Sequence, residues 1–237
     1  MNVTKESPVA VVTGGAGGIG SAICDSLAQA EALARALPGQ GHVALPAPVT
    51  DTAALAVLAA TVDQAFGRCD VLVNCAGVTR FVPHADLDGL DDALIDTILA
   101  VNVRGAFAAV RALHPLLARS TLPGGGVVIN LSSTAASFAI GSNVMYCASK
   151  AALDNMTKSL ARALAPRVRV LSVSPGLVAT DFVKSLDEGW RDEQARRTPL
   201  QRLAQSEEVG RAVVAAVTQL TFSTGSVILV DGGRLLG

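Results

Sequence analysis

A chain of 237 residues, half of them hydrophobic, is long enough to bury one full core, and a single domain over residues 1–237 is the simplest expectation. The formal net charge of −1 leaves no basic footprint for nucleic acid: the nearest approach, Arg191, Arg196, Arg197 and Arg202, is interleaved with Asp192, Glu193, Glu207 and Glu208. No uninterrupted apolar stretch approaches the ~20 residues of a bilayer span, and the four cysteines, with no metal-ligand spacing and no secretory signal before them, read as reduced thiols of a cytoplasmic protein.

In chain order, the apolar run Val9–Val12 predicts a strand, and Thr13-Gly14-Gly15-Ala16-Gly17-Gly18-Ile19-Gly20 after it predicts a phosphate-binding turn leading into a helix N-terminus. Ile19, Ile23 and Leu27 keep one helix face, but Leu33 and Leu37 fall out of phase with it. Two helix-like segments therefore meet at Ala30-Glu31 where a right-handed crossover should deliver a strand. Either residues are missing from the sequence at about Ala30/Glu31, or the sheet lacks its second strand. Further strands are predicted at His42–Leu45, Val71–Asn74, Val127–Leu131, Val168–Val173 and Val227–Val230. Helices are predicted at Thr52–Phe66, Leu90–Arg119, Tyr146–Ala165 and Glu207–Gln219. The alternation predicts an α/β fold with a doubly wound parallel sheet of Rossmann type.

The chemistry-bearing residues lie in the second half. Ser133 follows a predicted strand, at the end where open α/β sheets place ligands. Tyr146 and Lys150 are four residues apart and share one helix face. A phenol, an ammonium group and a hydroxyl can together move a proton, and the ammonium would favour phenolate in a group whose ordinary pKa is about 10. Cys147 follows Tyr146, but adjacent helix residues point about 100° apart, which favours a structural thiol. His84 and His114 have no carboxylate or cysteine at ligand spacing, so no metal is expected. Trp190 could line a substrate pocket or anchor a core contact.

The sequence is similar throughout to the short-chain dehydrogenase/reductase family. The motifs that carry the resemblance are Thr13–Gly20, Asn74-Cys75-Ala76-Gly77, Asn102-Val103-Arg104-Gly105, Ser133, Tyr146-x-x-x-Lys150, Pro175-Gly176 with Thr180, and Val230-Asp231-Gly232-Gly233. The resemblance implies a nicotinamide-dependent oxidoreductase interconverting a secondary alcohol and a ketone, with 3-oxoacyl-thioester reductases and sugar or polyol dehydrogenases as comparable members. It implies Asn102, Ser133, Tyr146 and Lys150 as catalytic residues. Cofactor contacts implied are Gly14, Gly18, Ile19, Gly20, Val49, Asn74, Ala76, Gly77, Tyr146, Lys150, Pro175, Gly176, Val178 and Thr180.

The cofactor is NAD or NADP. Ala16-Gly17 stand where members preferring NADP often carry a basic residue, which leans toward NAD. Pro48 replaces the first Asp of the family's Asp-Val-x-Asp, leaving the Val49 backbone to contact adenine. The resemblance also implies a homotetramer, paired through Leu90–Arg119 and Tyr146–Ala165 and through the Val227–Val230 region. The alternative reading is a non-catalytic Rossmann-type scaffold or regulator, to which a lost strand and the change at Pro48 would point.

Overall fold

The structure, a computed structural model, describes residues 8–15, 18–20, 22–23, 45–180, 183 and 187–236. Within them β1 (Ala10–Thr13), β2 (Val71–Asn74), β3 (Gly126–Leu131), β4 (Val168–Pro175) and β5 (Val227–Val230) form one parallel sheet in the order β1-β2-β3-β4-β5. The helices are α1 (Thr52–Phe66), α2 (Asp92–Leu99), α3 (Ala106–Leu117), α4 (Ala135–Phe138), α5 (Val144–Leu164), α6 (Glu188–Arg196) and α7 (Ser206–Thr218). Residues 18–20 and 22–23 are also helical. The join at Ala30/Glu31 and residues 42–44 of the strand expected at His42–Leu45 lie outside the described residues; Leu45 is not in a strand.

Every residue of β2, β3 and β4 is buried, as expected of parallel strands covered on both faces. Alternation along each strand divides the core. Leu72, Val128 and Val170 pack with Leu55 and Val62 of α1 and Leu113 and Leu117 of α3. Val73, Ile129 and Val173 face the other way, toward Val209, Val213 and Ala216 of α7. At their C-terminal ends the strands align a polar row, Thr13, Asn74, Asn130 and Ser172, in lateral register. Asn74 Nδ2 donates to Asn130 Oδ1 (2.9 Å), and Asn130 Nδ2 donates to Thr157 Oγ1 on α5 (2.8 Å).

The helix expected to run unbroken over Leu90–Arg119 is interrupted. Between α2 and α3, Ala100–Gly105 is a π-helical stretch. At its end Gly105 packs so closely on Val49 that a Cβ there would lie 2.7 Å from Val49 Cγ2. Side-chain bonds made by Asn102 elsewhere offset the irregular ladder. The helical run Asp92–Leu117, 26 residues with a window of mean hydropathy 1.6, is long and apolar enough to cross a membrane, contrary to the expectation from uninterrupted stretches. In the fold its Ile98, Leu113 and Leu117 are fully buried.

Candidate active site

The turn after β1 is fixed by contacts that leave no room for side chains. Gly14 has φ +68°, and a Cβ there would lie 2.9 Å from the Ala76 backbone. Thr13 Oγ1 accepts from the Cys75 and Ala76 amides (3.1 and 3.2 Å), locking the turn to the loop after β2. A Cβ at Gly20 would lie 2.1 Å from the Gly14 carbonyl oxygen. Gly18, at the start of the helical residues, faces the Thr180 side chain at 3.6 Å from its would-be Cβ. Segments 160 residues apart thus converge on a bare backbone cradle at a helix N-terminus, the arrangement that receives a dinucleotide pyrophosphate.

Behind Thr180, Val178 bridges Ala204 and is buried, while the Gly176 amide donates to the Val230 carbonyl. Pro175 ends β4, where its carbonyl accepts from Thr134. Ile19 is half-buried beside the second core. Val49 is buried against Gly105, and Asp51 caps α1 by accepting from the Ala53 and Ala54 amides. Asn74, expected among the cofactor contacts, has its Nδ2 committed to Asn130 and the Ala106 carbonyl, while its Oδ1 is buried with no protein partner.

The catalytic helix α5 begins at a residue the sequence reading passed over. Asn143 is 1% exposed; its Oδ1 accepts from the Tyr146 amide (2.7 Å), and its Nδ2 donates to Thr79 Oγ1 and the Arg80 carbonyl. One side chain therefore caps the helix and clamps the 79–80 loop to it. Asn occupying an N-cap three residues before Tyr146 was the available signal. Ser149, also passed over, donates to the Tyr146 carbonyl (2.7 Å) and accepts from Asn102 Nδ2 (3.1 Å).

Ser133, Tyr146, Lys150 and Asn102 come together. Ser133 lies close enough to the Tyr146 phenol to favour its ionised form. Lys150 Nζ lies 5.7 Å from the centre of the Tyr146 ring and donates to the Leu131 carbonyl (2.6 Å). A Cβ at Gly77 would stand 3.5 Å from Asn102 Oδ1 and 3.7 Å from Lys150 Nζ, so this glycine keeps the space between them open. Asn102 itself is held by the Val78 peptide, accepting from its amide (2.8 Å) and donating to its carbonyl (3.0 Å).

Burial sets the resting protonation. It raises the Tyr146 phenol above its ordinary value, opposed by the Ser133 hydrogen bond and reinforced by Cys147. The expected pull of Lys150 toward phenolate is not what governs this state. Lys150 is pushed down to about 8 by burial, against which Cys75 and Asp154 favour the charged form. Burial raises the Cys147 thiol, and the residue is 7% exposed, so it is structural. Among the described residues no cluster of His, Cys, Asp or Glu could hold a metal.

Residues 13–234 match the family described as enoyl-(acyl carrier protein) reductase. Over 248 aligned positions the chain is 38% identical to a Streptomyces violaceoruber protein named as ketoacyl reductase 2 of the granaticin polyketide synthase, covering 98% of this chain and 97% of that protein. It is 34% identical to the D-threitol dehydrogenase of Mycolicibacterium smegmatis, with 96% and 93% covered. A solved gluconate 5-dehydrogenase from Burkholderia cenocepacia, in complex with NADP and tartrate, superposes with a TM-score of 0.84 at 26% identity, covering 98% of this chain and 96% of that one. The first alignment is longer than the 237-residue chain, so that relative carries residues with no counterpart here. By its motifs, its parallel sheet and these relatives, the chain belongs to the short-chain dehydrogenase/reductase family and is an NAD(P)-dependent oxidoreductase acting between alcohols and ketones.

Proposed function

We propose that Tyr146 is the general acid and base for a secondary alcohol/ketone pair, with Ser133 holding the substrate oxygen. The observation that carries this is the convergence of three groups: Ser133, just past the C-terminal end of β3, acts on the Tyr146 phenol, and the buried Lys150 ammonium lies 5.7 Å from the Tyr146 ring. When bound, the nicotinamide supplies or takes the hydride. The protein's part is to deliver the proton. In reduction the Tyr146 hydroxyl gives its proton to the oxygen developing charge; in oxidation the phenolate removes it. Lys150 orients ribose hydroxyls and replenishes the proton, with Asn102 and its π-helical stretch shaping a water path beside it.

Because the resting phenol is held protonated, reduction starts from the form already present, whereas oxidation must first ionise it. The oxidation optimum therefore lies at higher pH than the reduction optimum, which initial rates in both directions would test.

The bare cradle at Gly14, Gly18 and Gly20 supports dinucleotide binding, and the absence of a basic residue at Ala16-Gly17 supports NAD over NADP. Residues beside Ser133, including Phe138, Ile140 and Val144, are apolar and partly exposed, which supports a substrate with an apolar flank such as a 3-oxoacyl thioester; sugars or polyols are the second class. We assign the chain as one domain of a cytoplasmic homotetramer; cysteines that form no disulfide among the described residues and a partly uncovered Asp92–Leu117 run support that reading.

No observation favours the non-catalytic scaffold. A panel of alcohols and ketones assayed with NAD and NADP by reduced-nicotinamide absorbance tests the whole proposal: turnover with none of them overturns it. Light scattering tests the tetramer.

A further inference from the structure

The mechanism above leaves the buried Asp154 unused. Tyr146, Lys150 and Asp154 follow one another at intervals of four along α5, so all three share a helix face. Asp154 is 9% exposed, and its carboxylate accepts from Ser172 Oγ at 2.7 Å. Ser172 belongs to the polar row across the sheet and is fully buried. A carboxylate taken out of water needs compensation beyond one hydroxyl, and Asp154 in turn favours the charged form of Lys150, one turn back on the same face.

We infer that Asp154 is a positioning residue for the reaction: anchored to the sheet by Ser172, it holds the ammonium form of Lys150 and so sets the upper end of the working pH range. The inference rests on the proposed role of Lys150. Lys150 is 7% exposed and its ammonium donates to a neutral carbonyl, so burial pulls its titration down and nearby charge opposes that pull. Cys75 in the loop after β2 and Asp154 on its own helix favour the charged form; the Tyr146 ring lies 5.7 Å away, and Asn102 of the π-helical stretch is neutral. Lys158, one turn beyond Asp154, lines with it a cleft that also takes in Ser137, Asn155 and Leu235. Burial and these charges together place the Lys150 titration at about 8, within reach of an activity assay.

The sign follows directly. Removing the Asp154 charge makes the ammonium easier to lose, so the descending limb of the reduction profile moves to lower pH. Asp154→Asn is the informative variant because its amide oxygen can still accept from Ser172. A shift of about 0.5–1 pH unit is expected, with kcat on the acidic plateau unchanged.

A second readout needs neither cofactor nor substrate. Below pH 7 Lys150 is charged in the folded protein, so Asp154→Asn should melt at a lower temperature than its parent; above the folded titration near 8 Lys150 is neutral in both, and this part of the gap closes. A merely structural role for Asp154 gives a gap independent of pH and an unmoved rate profile, and that result overturns the inference. Closure of the melting gap with an unmoved rate profile would instead overturn the proposed role of Lys150, and the catalytic part of this inference with it.

Discussion

At the glycine turn after β1, chain segments approach until one added methyl group would collide with a backbone oxygen; around α5, segments stand further apart and are joined by side-chain hydrogen bonds. The proposed cofactor cradle depends on atoms being absent at Gly14 and Gly20. The proposed proton-transfer half depends on particular atoms being present, and Asn102, Asn143 and Ser149 each spend nearly all their polar capacity holding it. Additions should therefore damage the first half and deletions the second.

The largest effect falls on the reacting oxygen. Tyr146→Phe should lower turnover by roughly 10²–10⁴-fold, the usual contribution of a general acid or base, while cofactor titration by fluorescence stays near that of the parent. Retention of most activity would break the proton-transfer assignment. Next is Gly20→Ala, whose Cβ would meet the Gly14 carbonyl at 2.1 Å. Relief requires the turn to move, at about 1–3 kcal/mol of stability, and cofactor affinity should fall at least tenfold even where the chain still folds. Gly67→Ala is the control. Gly67 ends α1 with φ +69° and nothing within 4 Å of its would-be Cβ, so only backbone strain of about 1 kcal/mol is expected, with cofactor affinity unchanged. Equal losses of cofactor affinity in both variants would show that the cradle is not shaped by close approach.

Deletion in the other half should act in proportion to the bonds removed. Asn102→Ala strands the Val78 amide and carbonyl and should cost about 2–3 kcal/mol in chemical denaturation, with activity falling more than cofactor binding. Asn143→Ala removes the helix cap and the clamp on the 79–80 loop, for about 1–2 kcal/mol. Asn143→Asp keeps an acceptor for the Tyr146 amide but loses both donor bonds, so its stability should lie between alanine and the parent. An aspartate variant no better than alanine would assign the whole effect to the clamp.

The polarity and periodicity of the chain made much of this legible. Val71–Asn74, Thr52–Phe66 and Val227–Val230 form the elements expected over the same residues: burial on both faces leaves Val71–Val73 uniformly apolar, the half-buried Val227–Val230 is a short β-branched apolar run, and an Asp51 cap and Gly67 stop bound the helix. The quartet of Asn102, Ser133, Tyr146 and Lys150 was visible through motif spacing. Asn143 and Ser149 were not singled out, since a capping Asn and a helix Ser are ordinary until the segments they join are known. The π-helical stretch at Ala100–Gly105 was equally hidden: a single-residue shift in hydrogen bonding leaves the apolar pattern almost unchanged.

What the sequence determined by itself was the alternation of elements, the glycines of the cradle and the pairing of Tyr146 with Lys150, all set by interactions within a few residues of chain. Tertiary structure alone decided that Thr180 would meet Gly18, that Asn102 would be held by Val78, and that burial would keep the Tyr146 phenol protonated while bringing Lys150 down to about 8. Those outcomes depend on desolvation and on contacts between distant segments, and both come into being only when strands and helices close around the site.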